Sequence, residues 1–104
     1  MSVTLTKQQA EQYFELGYVV VEGVLNEQKL KQLRMETESI IAEASSISDH
    51  NDIYDLEDSH SAQNPRVRRI KEPHKHFQYF WDLFCDTDVT DVLVPILGEN
   101  IRIY

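Results

Sequence analysis

The chain has 104 residues, of which 10 are Lys or Arg, 18 are Asp or Glu and one is Cys. This length allows one domain at most, so we treat residues 1–104 as a single unit. The single cysteine excludes an internal disulfide framework and a multi-cysteine zinc site, and the net charge of −8 argues against nucleic acid or an anionic membrane as a partner.

The N-terminal residues lack the apolar stretch of a signal peptide. The longest apolar run covers residues 18–21, whereas a membrane-spanning helix needs about 20 apolar residues. We therefore expect a soluble protein without a membrane segment. The lone cysteine suits the reducing cytoplasm, which is the expected location.

The first 44 residues predict a helix, a strand and a second helix. Thr6 is followed three residues later by Gln9, the spacing of a capping box, and Gly17 is a suitable stop for the helix that follows. The β-branched and aromatic run at residues 18–21 predicts a buried strand. Apolar residues spaced three and four apart then predict a longer helix over residues 27–44, with Asn26 as its N-cap.

Residues 45–64 form an acidic segment, which holds four Asp and one Glu but no Lys or Arg. We expect an acidic surface loop here, interrupted by one short strand at residues 53–56. A loop of about 20 residues is long for a compact domain, and such loops are often functional or mobile.

A basic segment follows the acidic loop, since residues 66–75 hold five of the ten Lys and Arg residues. Residues 66–71 predict a strand that Pro73 ends. Arginine forks and lysine ammonium groups bind phosphate and carboxylate, so Arg68, Arg69 and Lys71 are the candidate substrate-binding residues. The same cations could instead pair with the acidic loop, and the sequence leaves both interpretations open.

The C-terminal third predicts two helices and a strand. Four aromatic residues lie on one stripe of a helix over residues 75–85 and are expected to face the core; they are Phe77, Phe80, Trp81 and Phe84. A shorter helix capped by Asp86 or Thr87 should end at Gly98. Residues 101–104, Ile-Arg-Ile-Tyr, predict a strand that needs a partner edge. We therefore expect the N-terminal part of a longer protein, with a complete small α+β protein as the alternative.

Two pairs of residues are candidate metal ligands, the His-x-Asp pair His50 and Asp52 and the His-x-His pair His74 and His76. His50 and Asp52 have the His-x-Asp spacing, and on an extended segment both side chains would point to the same side. A self-contained metal site would add one of His60, His74 or His76. The last two open a helix after a proline, where positions i and i+2 diverge. Solvated or capping histidines are the alternative for both pairs, so no metal ligand and no catalytic residue is assigned.

The order of these segments resembles the start of the phytanoyl-CoA dioxygenase family. The resemblance extends over nearly the whole chain and rests on four blocks that follow one another in order: GYVVVEGVL from Gly17, RVRRIKEPH from Arg66, Phe80-Trp81, and the segment from Val92-Leu93 through LGENIRIY.

The resemblance implies an Fe(II)- and 2-oxoglutarate-dependent dioxygenase with a double-stranded β-helix, or jelly-roll, fold. The family's His-x-Asp and distal His lie after the strand that matches residues 101–104. His50 and Asp52 match the spacing but not the place, so the ligand role is not transferred to them. The expectation is an α+β region of helices and flanking strands that braces the barrel. It would line the entrance for a small-molecule substrate, without the catalytic half and without a cofactor on this chain alone.

The alternative from another class is a stand-alone, non-catalytic interaction domain. It would pair through the strand at residues 101–104, either with a second copy to form a homodimer or with a completing segment. This alternative predicts a folded dimer of the 104-residue chain.

Overall fold

The computed structural model describes residues 3–104 and contains five α-helices and two short strands among them. The elements in chain order are α1 (Lys7–Leu16), α2 (Glu27–Glu43), a 3-10 turn (Ala44–Ser46), β1 (Tyr54–Leu56), β2 (Val67–Ile70), α3 (Pro73–His76), α4 (Gln78–Cys85) and α5 (Thr87–Leu97). The strands form a two-stranded antiparallel sheet. Within this part of the chain, every helix is too short or too polar to traverse a bilayer.

Helix α1 begins and ends where its local signals predict. The Gln9 amide donates to the Thr6 hydroxyl oxygen at 3.1 Å, and the Gln9 side-chain oxygen accepts from the Thr6 amide at 2.9 Å. This reciprocal pair is the capping box. Gly17 ends the helix with a φ of 84°, a conformation that a side chain would disfavour. The predicted helix over residues 27–44 is likewise confirmed as α2, one residue shorter.

The predicted single helix over residues 75–85 is wrong, because the structure divides this region into α3 and α4. Pro73 occupies the first turn of α3, where its missing amide hydrogen does no harm. Phe77 then adopts an extended conformation, with φ −131° and ψ 117°, and separates the two helices. Of the four predicted core aromatics, Phe80 is buried and Phe77 and Phe84 are half-buried, whereas Trp81 is 45% exposed and does not face the core as predicted.

Helix α5 combines a predicted cap with an internal proline. The Asp86 carboxylate accepts from the Asp88 amide at 2.8 Å and caps the first turn. Pro95 cannot donate a backbone hydrogen bond to the carbonyl of Asp91, one turn earlier. The hydroxyl of Thr4 donates to the Asp91 carbonyl at 3.2 Å. A side chain distant in sequence thus replaces the hydrogen bond that Pro95 cannot donate.

Neither of the two other predicted strands is part of the sheet. Residues 18–21 and residues 101–104 carry no strand assignment, and in both segments the side chains alternate between exposed and half-buried. Although their composition favours strands, these segments pair with no other strand among residues 3–104. The predicted short strand at residues 53–56 is present as β1, and the strand at residues 66–71 is present as β2.

The described residues divide into two compact groups. One joins the chain up to Asn26 with Asp82–Tyr104, and the other is Glu27–Trp81. Only Leu5 is a buried hydrophobic side chain in the first group. The second group holds the rest of the buried core, which consists of Ile40, Ala44, Tyr54, Leu56 and Phe80. The candidate site described below lies entirely within this second group.

Candidate functional site

The candidate site is built on the hairpin of β1 and β2, which joins the acidic loop to the basic segment. The antiparallel register places Asp55 opposite Arg69. The hairpin continues past the strands, because the Lys71 amide donates to the Ile53 carbonyl at 2.7 Å. Opposite charges directly across a strand pair stabilise each other, so the pairing itself brings acidic and basic side chains together.

Two buried residues of β1 fix the orientation of this hairpin. Tyr54 and Leu56 are each 4% exposed, and the Tyr54 hydroxyl donates to the Ile40 carbonyl in α2 at 2.6 Å. Burial, with a smaller contribution from the charge of Glu43, raises the pKa of Tyr54 above its ordinary value. Since successive side chains of a strand point to opposite faces, Asp55 projects away from this core.

Asp55 is the centre of an ion-pair network. Arg69 Nε donates to Asp55 Oδ2 at 2.8 Å, and Arg69 Nη2 bonds to the same oxygen. Lys71 Nζ lies 3.4 Å from Asp55 Oδ1. The hydrogen bond from Arg69, followed by the charges of Arg69 and Lys71, holds the pKa of Asp55 below its usual range and outweighs the opposing effect of burial.

All three residues predicted to bind substrate are therefore paired with acidic side chains. Arg68 lies 3.6 Å from Glu57, through Arg68 Nε and Glu57 Oε1, and the other two pair with Asp55. Of the two interpretations left open by the sequence, the internal pairing is the one present in this structure. The pairing leaves donors unused, because a lysine ammonium has three N–H groups and an arginine guanidinium has five.

Beside this network lies a cleft of about 510 Å³. Its lining consists of Asp52, Arg69, Ile70, Lys71, Glu72, Lys75 and His76. Arg69 and Lys71 were predicted as binding residues, whereas Arg68 is not part of the lining. Lys75 belongs to the predicted basic segment and His76 was considered only as a metal ligand, so the sequence assigned neither residue to substrate binding. Helix α3, which begins at Pro73, brings both to the cleft.

Glu72 connects β2 to α3 in a strained conformation. Its φ of 43° and ψ of 55° fall in the left-handed region, and it has the only positive φ of a non-glycine residue in the part of the chain that is described. A residue in this region costs about 1–3 kcal/mol. Lys75 Nζ donates to Glu72 Oε1 at 2.9 Å, and this bond is the main reason that the pKa of Glu72 is lowered.

The histidines of the acidic loop do not form an iron site. His50 Nδ1 accepts from the Leu56 amide at 3.0 Å. His60 Nδ1 accepts from the Arg66 amide at 2.9 Å, which leaves its Nε2 to donate to the Ile47 carbonyl at 2.8 Å. Both ring nitrogens of His60 are thus occupied by the backbone.

No group of three His, Cys, Asp or Glu side chains within residues 3–104 has the arrangement of a metal site. A non-haem iron site needs two imidazoles and a carboxylate on one face of the metal. His50, Asp52 and the remaining histidines do not supply that set, so Fe(II) does not fit the residues described here.

Comparison with known proteins gives one informative similarity. The chain is 25% identical over 97 residues to a protein of Stutzerimonas stutzeri named "Probable alpha-ketoglutarate-dependent hypophosphite dioxygenase". The match covers 93% of this chain and 34% of that protein, so the chain spans about a third of the length of its relative. No family model matches the chain, and no solved structure matches it.

The similarity supports a dioxygenase-like region of the 2-oxoglutarate-dependent kind, since alpha-ketoglutarate and 2-oxoglutarate are the same compound. It does not distinguish the phytanoyl-CoA dioxygenase family from other members of that superfamily. It also does not favour the alternative of a stand-alone interaction domain.

Proposed function

We propose that this chain is the N-terminal region of an Fe(II)/2-oxoglutarate-dependent dioxygenase of the phytanoyl-CoA dioxygenase type, and that the complete enzyme hydroxylates a small anionic substrate. The observation that carries the proposal is the similarity over 93% of the chain to a 2-oxoglutarate-dependent dioxygenase. The four sequence blocks that resemble the phytanoyl-CoA dioxygenase family support the narrower assignment.

In this proposal the region braces a jelly-roll barrel formed with further strands. Two features support that role. The first is the pair of extended apolar segments at residues 18–21 and 101–104, whose composition suits a buried sheet although neither is paired in the described part of the chain. The second is the set of exposed large hydrophobic side chains in the same compact group, which are Phe14, Leu16, Tyr18, Val20, Leu97 and Tyr104.

The completing strands would pair with residues 101–104, which makes them the proposed partner of this region. Residues of the completing part, rather than His50 or Asp52, would hold Fe(II) and 2-oxoglutarate. We propose the cytoplasm as the location, because the lone cysteine suits a reducing compartment.

The proposed role of the basic strand is to attract the substrate at its entrance. Arg69 and Lys71 line the cleft, and Arg68 is on the same strand. The relative is named for hypophosphite, a small anion, which agrees in charge with the basic segment of this chain. Neutralisation of Arg69 or Lys71 should therefore raise KM for the anionic substrate more than it lowers kcat, because the residues act in binding.

The first experiment is to read the DNA that follows the Tyr104 codon in the source. We expect an open frame that continues into a His-x-Asp motif within a few tens of codons and into a further His much later. When supplied with Fe(II), O₂ and substrate, the complete product should convert 2-oxoglutarate to succinate and CO₂ as it hydroxylates the substrate. A stop codon directly after Tyr104 would overturn the proposal for this chain, and a continuation without these motifs would overturn the chemistry.

The proposed role of Arg69 and Lys71 in attracting the substrate is tested with substitutions in the complete product. Arg69→Gln and Lys71→Gln should raise KM, whereas Lys31→Gln, on the exposed surface of α2, should leave KM unchanged. An equal effect of all three substitutions would show a general charge effect rather than a role of the cleft.

A further inference from the structure

We propose that the cleft beside the hairpin binds a small phosphate-class oxyanion, a tetrahedral anion that still carries a hydroxyl hydrogen, through Lys71, Lys75 and His76. The use of this site by the substrate rests on the proposed function, and there the oxyanion is a substituent of the molecule that is hydroxylated; the binding itself does not rest on the proposed function.

The charge of the cleft contrasts with that of the chain. The chain carries a net charge of −8, yet the lining balances the cations of Arg69, Lys71 and Lys75 against the carboxylates of Asp52 and Glu72. Asp55 is not part of the lining, but it pairs with Arg69 and Lys71 and offsets the one remaining positive charge. An anion is therefore not repelled at the cleft as it is over the chain as a whole, and the attraction comes from individual ammonium groups rather than from an excess of charge.

The remaining donors favour a tetrahedral anion over a carboxylate. The planar fork of Arg69, which matches a carboxylate best, is already occupied by Asp55. Lys71 and Lys75 each have one acidic partner, Asp55 and Glu72 respectively, and an ammonium keeps further N–H donors for a ligand. Ammonium groups act as compact point charges and bind phosphate without a planar requirement.

The carboxylates of the lining select for a partly protonated anion. Asp52 and Glu72 face the same cleft as the lysines and can accept a hydrogen bond but cannot donate one when ionised. A fully ionised anion such as sulfate would be repelled by them. Hydrogen phosphate can instead donate its hydroxyl hydrogen to one of them while its other oxygens accept from the lysines.

The size of the cleft suits this ligand with its water. A water molecule occupies about 30 Å³ of liquid volume, so a cleft of about 510 Å³ holds a phosphate-sized anion and several waters. Pockets for small molecules have about 300–1,000 Å³. The cleft also has room for an organic group attached to the oxyanion.

The test is a titration of the ¹⁵N-labelled complete product with inorganic phosphate, sulfate or acetate at constant ionic strength, followed by amide chemical shifts. We expect saturable shifts over residues 69–76 with phosphate, at an affinity about tenfold or more above that for sulfate or acetate, as the loss of one charge-assisted hydrogen bond predicts. Lys75→Gln and His76→Gln should each weaken the binding of phosphate severalfold. Lys31→Gln is the matched control and should not change it.

Asp52→Asn tests whether this carboxylate causes the preference for phosphate over sulfate. This variant should bind sulfate more tightly than the unmodified chain does, which narrows the preference for phosphate. Equal binding of phosphate and sulfate by the unmodified chain, or shifts that spread evenly over all surface amides, would overturn the proposal. Because the titration uses neither iron nor 2-oxoglutarate, failure here leaves the dioxygenase proposal intact, and failure of the reading-frame test leaves the anion site intact.

Discussion

The hydrogen bond from Tyr54 to α2 provides the sharpest test of how the hairpin is held. Tyr54 is 4% exposed, and its hydroxyl donates to the Ile40 carbonyl at 2.6 Å. Tyr54→Phe removes this hydroxyl and keeps the ring. The substitution therefore separates the hydrogen bond from the burial of the aromatic side chain, which Tyr54→Ala would remove as well.

The expected cost follows from the burial of both partners. A hydrogen bond inside a protein contributes about 0.5–1.5 kcal/mol net, and a buried acceptor left without its donor costs about 1–3 kcal/mol. We expect Tyr54→Phe to lower the free energy of unfolding by about 1–2 kcal/mol. Tyr54→Ala should lower it by about 3–5 kcal/mol, because the cavity is added to the lost bond.

The assay is urea unfolding followed by circular dichroism, with thermal unfolding as a second measurement. A loss of 1 kcal/mol should lower Tm by about 4–8 °C in a domain of this size. Tyr18→Phe is the matched control, since Tyr18 is 61% exposed and surface substitutions change stability by about 0.5 kcal/mol or less. Equal effects of the two Tyr→Phe variants would refute the reasoning.

Three further predictions concern pH and capping. Arg69 and Lys71 lower the pKa of Asp55 below its usual 3.8, so the stabilisation that this carboxylate provides is complete above that value and is lost as pH falls through the folded value; acid titration of Asp55→Asn should lack this step. The pKa of Tyr54 is raised above 10.0, so its contribution is complete below pH 10.0 and is lost as pH rises through the folded value; Tyr54→Phe should flatten the alkaline part of the stability curve. Thr6→Ala should cost about 1 kcal/mol in urea unfolding, because the capping box of α1 is removed, whereas the exposed Gln12→Ala should not; an unchanged midpoint for Thr6→Ala would contradict the role of the cap.

Local signals predicted the ends of the helices well. Thr6, Gly17 and Asp86 each act through atoms within a few residues, so their effect does not depend on the rest of the fold. The break at Phe77 was not predictable in this way. The stripe of aromatic residues has the same spacing whether one helix or two contain it. No local signal in the sequence marks the extended backbone of Phe77.

The predicted strands show why pairing cannot be read from composition. Both residues 18–21 and β2 have strand-forming side chains, but only β2 has a partner. That partner is β1, which lies within the acidic segment and pairs antiparallel with β2. A strand is stabilised by hydrogen bonds to another segment, and that segment is not encoded within the strand. The strand predictions for residues 18–21 and 101–104 therefore still require a sheet edge, which the described residues do not provide.

The sequence predicted the basic character of the candidate site but only some of the residues that line it. The basic segment identified Arg69 and Lys71, which line the cleft. Lys75 and His76 lie on α3, which directly follows Glu72 in its left-handed conformation. Most residues avoid that conformation, so a sequence pattern gives no reason to expect it.

The two loop histidines have a consequence for the dynamics of the acidic segment. His50 and His60 each accept, at Nδ1, the amide hydrogen of the residue six positions later, Leu56 and Arg66. Each ring thus closes a six-residue span of the loop through one side-chain bond. His50→Ala and His60→Ala should each remove the protection against hydrogen exchange at its own amide partner, while the Tyr54 amide, which bonds to Asn51 Oδ1, keeps its protection. The acidic loop is therefore held in its conformation by its own histidines.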